Sequence, residues 1–449
     1  MLQAATYPCG GLRYKRRMSA QDRRNDRLSV LRPFLAHVRE AYGLDIGFVL
    51  WDGSRVPADY PDNGIAVRLA DEGVVAALIR RPKFDTALDL WVTGRIDLVN
   101  GTVIDAFSTR PRQRTREFRK RLDKRQAFKV MRKFVFLPRG GPWPLEDFRK
   151  GKPISGNKDN IQYHYDLSNA FYSLFLDPQM VYSCAYFVEW SNDIAQAQRN
   201  KLEMICRKLR LEEGERFLDI GCGWGALVCH AAQNYGVQAH GVTLSQQQFD
   251  FAKAKVERLG LQDKVKLELR DYNTLEGQYD KIASIGMFEH VGIANHRTYF
   301  RKMHRLLRPR GLYLHHAITR RAKGQNDQDF MKKSAEYVAM TKYIFPGGEL
   351  DHIGMSCANL ERSGFEVRDV EGWREHYRQT CKLWHDRLLA NKDAAIKEVG
   401  EVKFRMWVAY LGGCAVGFDS ATVGIFQTLA VKRERGSTGL PPTRADLYR

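Results

Sequence analysis

One cysteine, Cys184, stands among aromatic residues in the stretch VYSCAYF, Val181–Phe187. A cysteine thiolate is a strong nucleophile, so this residue type could attack a substrate covalently. It could equally fill a small space in an apolar core, because free cysteine is one of the most frequently buried residue types. The local sequence leaves both interpretations open, and the rest of the chain must decide between them.

A glycine-rich turn is the second feature that could do chemistry. The stretch LDIGCGWGAL, residues 218–227, follows a strand-like run and opens a helical pattern. Gly221, Gly223 and Gly225 let the backbone turn tightly and approach a ligand. Asp219 ends the strand just before the turn. The spacing is G-x-G-x-G, not the dinucleotide G-x-G-x-x-G, and with a preceding acidic residue it is typical of class I S-adenosylmethionine (SAM) methyltransferases.

Two more strand ends are expected to complete a cofactor site, GVTLSQQQ at Gly241–Gln248 and RDY at Arg270–Tyr272. In a doubly wound sheet, the carboxyl ends of neighbouring strands lie at the ligand-binding edge. An acidic residue for ribose hydroxyls is expected after the second strand. The chain has Thr243, Leu244 and Ser245 there instead, which weakens a dinucleotide interpretation and leaves SAM open.

The elements that must position these motifs alternate regularly from Asn160 onward. Helical patterns separate five strand-like runs, which predicts an α/β fold with a doubly wound, Rossmann-like parallel sheet. Before them, residues 30–108 mix helical and strand patterns with Asp-Gly and Asn-Gly turns, as in a small α+β domain. We therefore divide the chain into a basic tail (1–29), an N-terminal α+β domain (30–108), an arginine-rich linker (109–159) and a catalytic domain (160–449). The five predicted strands are Arg216–Gly221, Gln238–Leu244, Lys264–Asp271, Asp280–Phe288 and Gly311–Ile318.

Composition narrows the class of protein. The chain has 449 residues, 44% of them hydrophobic, which is typical of globular proteins. No apolar run approaches the ~18–20 residues that a spanning helix needs, and no signal peptide is recognisable. The eight cysteines are scattered without a C-x-x-C pair. This pattern predicts reduced thiols in a cytoplasmic protein and no metal site.

The net charge of +20 is concentrated near the N-terminus. Residues 1–160 hold 32 Lys and Arg against 18 Asp and Glu, whereas the remainder holds 40 against 34. Two clusters dominate, Arg13–Arg27 and Arg110–Arg125. Such clusters either form solvated faces or attract anionic lipid or nucleic acid, and charge alone does not choose between these.

Nine motifs, in order from about Asn160 to the C-terminus, resemble those of the cyclopropane-fatty-acyl-phospholipid synthase family, which includes the mycolic acid cyclopropane synthases. Residues 30–108 resemble the small lipid-associated N-terminal domain of the bacterial synthases more loosely, and the basic tail lies outside the resemblance. The motifs are HYDLSNAFYSLFLDP (164–178), YSCAYF (182–187), LDIGCGWGAL (218–227), GVTLSQQQ (241–248), SIGMFEHVG (284–292), LHHAI (314–318), YIFPGGEL (343–350), HYRQT (376–380) and YLGGCAVGF (410–418).

The resemblance implies an enzyme that transfers the methyl group of SAM to the cis double bond of an acyl chain in a phospholipid. An alkene is a poor nucleophile, so the methyl group must be held close and in line, with water excluded. Aromatic faces can stabilise the carbocation that forms. A base, which in this family is a bound bicarbonate ion, then removes a proton so that the cyclopropane ring closes.

The family's sites carry over to residues of this chain. The bicarbonate site would consist of Cys184, Glu289, His316, Ile318 and Tyr377. Cys184 and Ile318 would contribute backbone groups and His316 a side-chain hydrogen bond, while Glu289 and Tyr377 would orient the anion. The cofactor site would consist of Tyr182, Ser183, Asp219, Gly221, Cys222, Gly223, Gly225, Thr243, Leu244, Gln248, Asp271 and Tyr272.

Several of these residues have structural alternatives. Glu289 could cap a surface helix, His316 could be a core histidine, and Tyr377 could be ordinary packing. His315 competes with its neighbour, although strand alternation sends the two side chains to opposite faces. Cys414 matches a cysteine proposed as a family nucleophile, but methyl transfer to an alkene needs no covalent enzyme intermediate. Its Gly-Gly-Cys-Ala setting favours helix packing. Aromatic residues that could line an acyl tunnel or the core are Tyr163, Tyr165, Phe171, Phe187 and Tyr343.

The expected partners are an anionic phospholipid bilayer and its unsaturated acyl chains, with no nucleic acid; a homo-oligomer is left open. The Arg110–Arg125 cluster would dock at the inner face of the membrane of a cytoplasmic protein, with Phe118 and Leu122 as shallow anchors. Two alternatives remain: a methyl- or methylene-branched product, and a small-molecule C- or N-methyltransferase. A nucleic-acid-binding protein would need a base-reading motif, and none is recognisable.

Overall fold

The computed structural model describes residues 19–109, 120–145, 167–322, 330–331 and 348–448. These residues form two compact units. The first unit comprises residues within 1–82, 95–100 and 109–141, and the second comprises residues within 83–94, 101–108 and 142–449. Two short segments of the predicted N-terminal domain, 83–94 and 101–108, therefore belong to the second unit.

The described segments contain fourteen helices and eleven strands. They are α1 Ala20–Tyr42, β1 Gly47–Val49, β2 Arg55–Val56, β3 Ala66–Leu69, α2 Glu72–Arg80, α3 Phe84–Val92, β4 Ile96–Val99, α4 Val103–Ser108, α5 Lys124–Phe134, α6 Asn169–Ser173, α7 Ile194–Leu209, β5 Arg216–Ile220, α8 Ala226–Tyr235, β6 Gln238–Thr243, α9 Gln246–Arg258, β7 Val265–Leu269, β8 Tyr279–Ile285, α10 His296–Leu306, β9 Leu307–Arg320, α11 Ile353–Arg362, β10 Phe365–Gly372, α12 Arg374–Ala390, α13 Lys392–Val399, α14 Glu401–Asp419 and β11 Val423–Lys432. Short 3₁₀ turns cover Tyr272–Thr274, Phe288–His290, Ile293–Asn295 and Ala445–Tyr448.

The first unit is built on a four-stranded sheet in the order β2-β1-β3-β4. β1 is parallel to β3, and the other two pairings are antiparallel. Helix α1 begins at Ala20, within the predicted tail, after a capping box formed by Ser19 and Asp22. Helix α5 lies in the predicted linker and buries Val130 and Phe134. It is tied to α1 by the Asp123 N–H, which donates to His37 Nε2 at 2.9 Å.

The second unit contains a seven-stranded sheet in the order β10-β11-β9-β8-β5-β6-β7. The strands β5 to β9 pair in parallel, which confirms the five predicted strands and the doubly wound arrangement. Strand β11 is antiparallel to both β9 and β10. The strand order changes direction at β5, because β6 lies on one side of β5 and β8 on the other. Ligands bind outside the carboxyl ends of strands at such a switch point.

Helix α7 packs on this sheet through an unusual face. Asp193 caps its N-terminus by accepting from the Gln196 N–H at 2.7 Å. The buried face carries apolar side chains such as Leu202 and Ile205, but also two lysines, Lys201 and Lys208. The two lysines are seven residues apart and therefore lie on the same side of the helix. Within the described part of the chain, no helix combines the length and apolar character needed to cross a bilayer.

Candidate active site

The glycine-rich turn lies where β5 ends, at the switch point of the sheet. Gly221 and Gly225 have φ angles of +80° and +79°, in the left-handed region that other residues rarely adopt. A Cβ on Gly221 would lie 2.9 Å from the Met287 Cγ, so this position has no room for a side chain. Gly225 is the residue from which α8 begins. The turn therefore needs glycine for backbone conformation at both positions and for space at the first.

A cavity of about 190 Å³ opens directly above this turn. Eleven of the twelve predicted cofactor residues line it, and the twelfth, Gly225, lies in the turn itself. Lining residues that are not in the predicted cofactor set come from several elements, and they include Met180, Lys201, Trp224, Arg270, Met287 and His290. The structure thus brings the predicted cofactor residues of all three strand ends to one cavity.

Asp219 is the acidic group of this cavity. It is buried, and its Oδ1 atom has no hydrogen-bond partner among the described residues. Burial raises the pKa of Asp219 to about 7, and the nearby positive charge of Lys201 opposes that rise. A buried, unpaired carboxylate oxygen calls for a cationic ligand, and the amino group of SAM is one. The carboxylate and the cavity therefore fit this cofactor.

The second-strand edge is held by neutral hydrogen bonds instead of an acidic residue. Thr243 Oγ1 donates to Gln248 Oε1 at 2.9 Å, and the Ser245 N–H donates to Thr243 Oγ1 at 3.2 Å. On the third-strand edge, Asp271 accepts from the Asn273 N–H at 2.9 Å, which fixes the turn that contains Tyr272. Both edges are thus fixed locally before a ligand binds.

Glu289 lies in the 3₁₀ turn Phe288–His290 that follows β8. Its Oε1 atom accepts from the Ile318 N–H of β9 at 2.7 Å. Its Oε2 atom is buried and lacks a partner within the described segments. Burial raises the pKa of Glu289 to about 7, and the hydrogen bond from Ile318 partly offsets this. Glu289 is therefore a buried acid that can change protonation state near neutral pH, not a surface helix cap.

His316 is fully buried on β9, and neither ring nitrogen has a hydrogen-bond partner in the described residues. Its ring meets the Trp373 ring edge-on, with centroids 5.3 Å apart. Burial lowers the pKa of His316 well below its ordinary value, and Lys201 and Lys208 add to this. His316 is consequently a neutral imidazole with free hydrogen-bonding capacity.

His315 points to the other face of β9, as strand alternation predicts. Its ring packs against Phe288 at 4.5 Å, and its Nδ1 atom lies 3.2 Å from the Tyr313 hydroxyl oxygen. Burial lowers the pKa of His315 to about 3. Of the two neighbouring histidines, only His316 shares the side of the sheet where Trp373 lies.

Cys184 is completely buried, and burial raises the pKa of its thiol well above the ordinary value. The thiol therefore stays protonated and is a poor nucleophile. Its sulfur lies 3.3 Å from the Ala185 carbonyl oxygen and 3.9 Å from that of Trp373. Trp373 thus contacts both Cys184 and His316, and it connects two parts of the predicted base site.

Tyr377 and Cys414 face the same aromatic region from α12 and α14. The Tyr377 ring lies 4.6 Å from Phe418, and burial raises the pKa of its hydroxyl well above the ordinary value, with smaller contributions from Cys381, Tyr182, Cys184 and Cys414. Cys414 is half-buried and packs against this core. It lies on a helix interior, in agreement with a packing role.

Lys201, Lys208 and Trp373 are among the residues near the site that the sequence analysis missed. Lys201 Nζ donates to Ser183 Oγ at 3.0 Å. Lys208 pairs with Glu371, donates to Gln427 at 2.8 Å and lies 5.2 Å from the centre of the Trp373 ring. Lys201 and Lys208 could have been found from their position on the apolar side of a helical pattern, whereas no sequence signal pointed to Trp373.

Other predicted residues fall partly outside the described segments. Phe171 and Phe187 are buried in an aromatic core, where Phe171 meets Tyr172, Phe175 and Trp407 edge-on. Leu122 is half-buried. The predictions for Tyr163, Tyr165, Tyr343, Phe118 and most of the Arg110–Arg125 cluster lie outside the described residues.

Comparison with protein families decides the relationship. The family model described as mycolic acid cyclopropane synthetase matches residues 154–428, more than half of the chain. This chain belongs to the mycolic acid cyclopropane synthetase family. The match contains the glycine-rich turn, Glu289, His316, Tyr377 and Cys414, so the predicted family is confirmed over the candidate site.

Family relatives are similar over the same region. The chain is 44% identical over 292 residues to a probable fatty acid methyltransferase of Pseudomonas putida, covering 64% of this chain and 73% of that protein. It is 38% identical over 266 residues to the cyclopropane-fatty-acyl-phospholipid synthase of Escherichia coli K12, covering 59% of this chain and 66% of that protein. The alignments thus span about two thirds to three quarters of these family members.

A solved structure of the family has the same fold. The mycolic acid cyclopropane synthase CmaA1, complexed with SAH and CTAB, superposes with a TM-score of 0.58 at 34% identity, covering 62% of this chain and 99% of CmaA1. The predicted class I methyltransferase fold and the predicted enzyme class, a SAM-dependent methyltransferase, are therefore confirmed for this family member.

Proposed function

We propose that this enzyme transfers a methyl group from SAM to the cis double bond of an unsaturated acyl chain in a phospholipid, and that the product is a cyclopropane fatty acid. The observation that carries the proposal is the pairing of two sites. The first is a cofactor cavity with a buried carboxylate, which is lined by Gly286 and His290. The second is formed by Glu289, next to His290, and by His316, whose carbonyl oxygen accepts from the Gly286 N–H. Glu289 Oε2 and both ring nitrogens of His316 are buried and lack partners in the described residues. A simple methyltransferase needs the first site only.

The cofactor cavity supports SAM through complementary charge. Asp219 would accept from the amino group, and the second- and third-strand edges, with Gln248 and Asp271, would border the nucleoside. SAM supplies an electrophilic methyl group on a sulfonium centre. Attack by an alkene requires that water be kept from the reacting centre, and the uncharged lining residues Tyr182, Cys222 and Leu244 suit that requirement.

The base site supports a bound bicarbonate ion, which would accept the proton lost before ring closure. Glu289 Oε2 and the two ring nitrogens of His316 are buried polar atoms in need of partners. A neutral histidine can donate one hydrogen bond to an oxyanion. With a pKa near 7, Glu289 can hold a proton between itself and the anion. Tyr377 and the backbone at Cys184 would complete the set, whereas the predicted backbone donor at Ile318 already holds Glu289 in place.

Aromatic side chains close to the cofactor cavity suit a cationic intermediate on the acyl chain. The Tyr182 ring lies 5.2 Å from Trp384 and 5.6 Å from Tyr172. Its hydroxyl oxygen is 3.3 Å from that of Tyr410. Ring faces attract positive charge by up to about 2 kcal/mol in a desolvated setting. This cluster would therefore favour the carbocation over the neutral alkene.

The proposed partner, an anionic phospholipid bilayer, fits the exposed face of α5. Phe128 and Met131 are 58% and 40% exposed, and Phe136 just after the helix is 90% exposed. The cations on the same exposed face are Lys124, Arg125, Lys129 and Arg132, and the sequence has no acidic residue from 124 to 145. Apolar side chains bordered by cations are typical of helices that lie in a lipid interface. We place the protein in the cytoplasm, at the inner membrane face.

The decisive experiment supplies labelled SAM and vesicles of a cis-unsaturated phospholipid to the purified protein. Mass analysis of the fatty acids is expected to show a gain of about 14 daltons per acyl chain with loss of the alkene. A gain of 14 daltons that retains an alkene would indicate a methylene-branched product instead. If label appears in no lipid, with or without a reductant, the proposed substrate is wrong.

A further inference from the structure

Helix α7 holds the loop before the cofactor cavity through two neighbouring buried side chains. Gln198 Nε2 donates to the Ser183 carbonyl oxygen at 2.9 Å, and one helical turn later Lys201 Nζ donates to Ser183 Oγ at 3.0 Å. Lys201, Ser183 and Asp219 all line the cavity. A lysine with 3% of its surface exposed thus forms part of the cofactor wall.

Burying this ammonium group requires negative charge nearby, because an uncompensated buried cation costs several kcal/mol. Burial lowers the pKa of Lys201 to about 8, and Asp177, Asp219 and Cys184, in that order, partly offset this, so Lys201 carries its charge below about pH 8. His316 and His230 also interact electrostatically with Lys201, and burial lowers the pKa of both histidines. Cys184 and His316 are neutral, as shown above, so Asp177 and Asp219 are the anionic candidates among the described residues.

The two carboxylates differ in their own hydrogen bonds. Asp177 accepts from the N–H groups of Gln179 and Val181, at 2.8 and 2.9 Å. Asp219 lacks such support at Oδ1. Among the described residues, Lys201 is the charged group that stabilises the Asp219 anion, and burial keeps the neighbouring thiols of Cys222 and Cys206 neutral. The ionised form of Asp219 therefore depends on the charge of Lys201 more than the ionised form of Asp177 does.

We propose that Lys201 is a cofactor-positioning residue, which fixes Ser183 in the cavity wall and supplies the positive charge that balances Asp219. In this role Lys201 acts through Asp219, which would meet the amino group of the cofactor. The proposal rests on the SAM cavity and not on the identity of the methyl acceptor, so a result against the lipid substrate would leave it unaffected.

The consequence is a pH dependence with a defined sign. With Lys201 present, the pKa of Asp219 is already raised to about 7. Removing the lysine charge removes the influence that, among the described residues, lowers the pKa of Asp219, so the carboxyl group stays protonated to higher pH. A protonated Asp219 cannot pair with an ammonium group. Loss of cofactor affinity should therefore be greatest below pH 7 and should disappear as the pH rises.

The test measures binding of S-adenosylhomocysteine to the full chain by calorimetry from pH 6 to 8.5. Affinity is expressed relative to wild type at each pH, which cancels titration of the ligand's own amino group. Lys201→Gln, which keeps a donor for Ser183, is expected to lose about five- to tenfold at pH 6–7 and less than about twofold at pH 8.5. Lys201→Arg, which keeps the charge, should follow the wild-type profile.

Gln198→Leu is the matched control, because it removes the neighbouring loop contact without changing charge. Its affinity loss should be the same at every pH. A Lys201→Gln profile parallel to that of Gln198→Leu would overturn the proposal and reduce Lys201 to a loop contact. If Lys201→Gln folds poorly, stability replaces affinity as the measurement. The double variant Lys201→Gln, Asp219→Asn should then have a higher melting temperature at pH 8.5 than Lys201→Gln alone, because it lacks the buried carboxylate that has lost its cation. A double variant that is equally unstable or worse would also contradict the charge balance.

Discussion

At the residue scale, burial decides what Cys184 can do. Its thiol is completely buried in the aromatic core, and burial keeps it protonated, so the cysteine that could have been a nucleophile is a neutral core residue. The same burial has the opposite use at Glu289, where it raises the pKa of the carboxyl group into the range of proton exchange near neutrality. Burial thus keeps the thiol of Cys184 protonated and brings the pKa of Glu289 close to neutral pH.

Replacing Cys184 by serine should reduce activity without abolishing it. The hydroxyl group is smaller and more polar than the thiol, and burying it costs about 1–3 kcal/mol where partners are poor. We expect a lower melting temperature and kcat within about tenfold of wild type. A nucleophile role would instead remove about a thousandfold or more of the activity, and such a loss with intact S-adenosylhomocysteine binding would contradict this assignment.

Replacing Glu289 by glutamine should separate binding from turnover. Glutamine preserves the shape and can still accept from the Ile318 N–H, but it cannot exchange a proton. We expect S-adenosylhomocysteine affinity within about twofold of wild type and kcat reduced by at least about a hundredfold. In the wild type, kcat should rise with pH through about 7 as Glu289 ionises, and the residual activity of the variant should lack this inflection. Full turnover in Glu289→Gln would exclude the carboxylate from the reaction.

At the element scale, the strand–turn–helix unit of β5 and α8 explains why the cofactor motif was readable from sequence. The unit is local: the strand, the positive-φ glycines and the helix start lie within Arg216–Tyr235. Its two demands are conformational freedom and space, and only glycine meets both at Gly221. The base site has no such local unit, since Glu289 and Ile318 are 29 residues apart.

Gly221→Ala should therefore damage the cofactor turn specifically. The alanine would have to adopt the left-handed backbone of Gly221, which costs about 1–2 kcal/mol, and its Cβ would overlap the Met287 side chain. We expect S-adenosylhomocysteine affinity to fall by at least about tenfold in calorimetry. Gly214→Ala is the control, because Gly214 has a φ angle of +81° with nothing within 4 Å of an added Cβ. It should lose only stability, and an equal affinity loss in both variants would rule out the steric explanation.

At the scale of the whole molecule, the two units differ in what they present to a ligand. The second unit contains the cofactor cavity and the buried polar groups of the candidate site. The first unit presents the basic, partly aromatic face of α5. The excess charge of the first 160 residues is therefore not spread over the catalytic fold, which agrees with a division between catalysis and lipid docking.

The α5 face should be required for binding to vesicles but not for cofactor binding. Phe128→Ser combined with Met131→Ser should reduce co-sedimentation with vesicles of anionic lipid by about tenfold, because both apolar anchors are lost. Binding of the wild type should weaken as salt screens the cations. Val402→Ser, an exposed apolar residue of α14 in the second unit, is the control and should bind normally. Unchanged sedimentation of the double variant would exclude α5 as the docking surface.

The sequence by itself determined the family, the parallel sheet and the cofactor turn, because each depends on residues that are close along the chain or on ordered motifs. The tertiary structure alone decided which polar groups lose water and which partners they gain. Lys201 reaches Ser183 across 18 residues, and Cys184 meets Trp373 across 189. Desolvation and charge balance depend on the complete three-dimensional surroundings of a group. For that reason the buried lysine at the cofactor wall, and the neutral states of Cys184 and His316, emerged only from the folded chain.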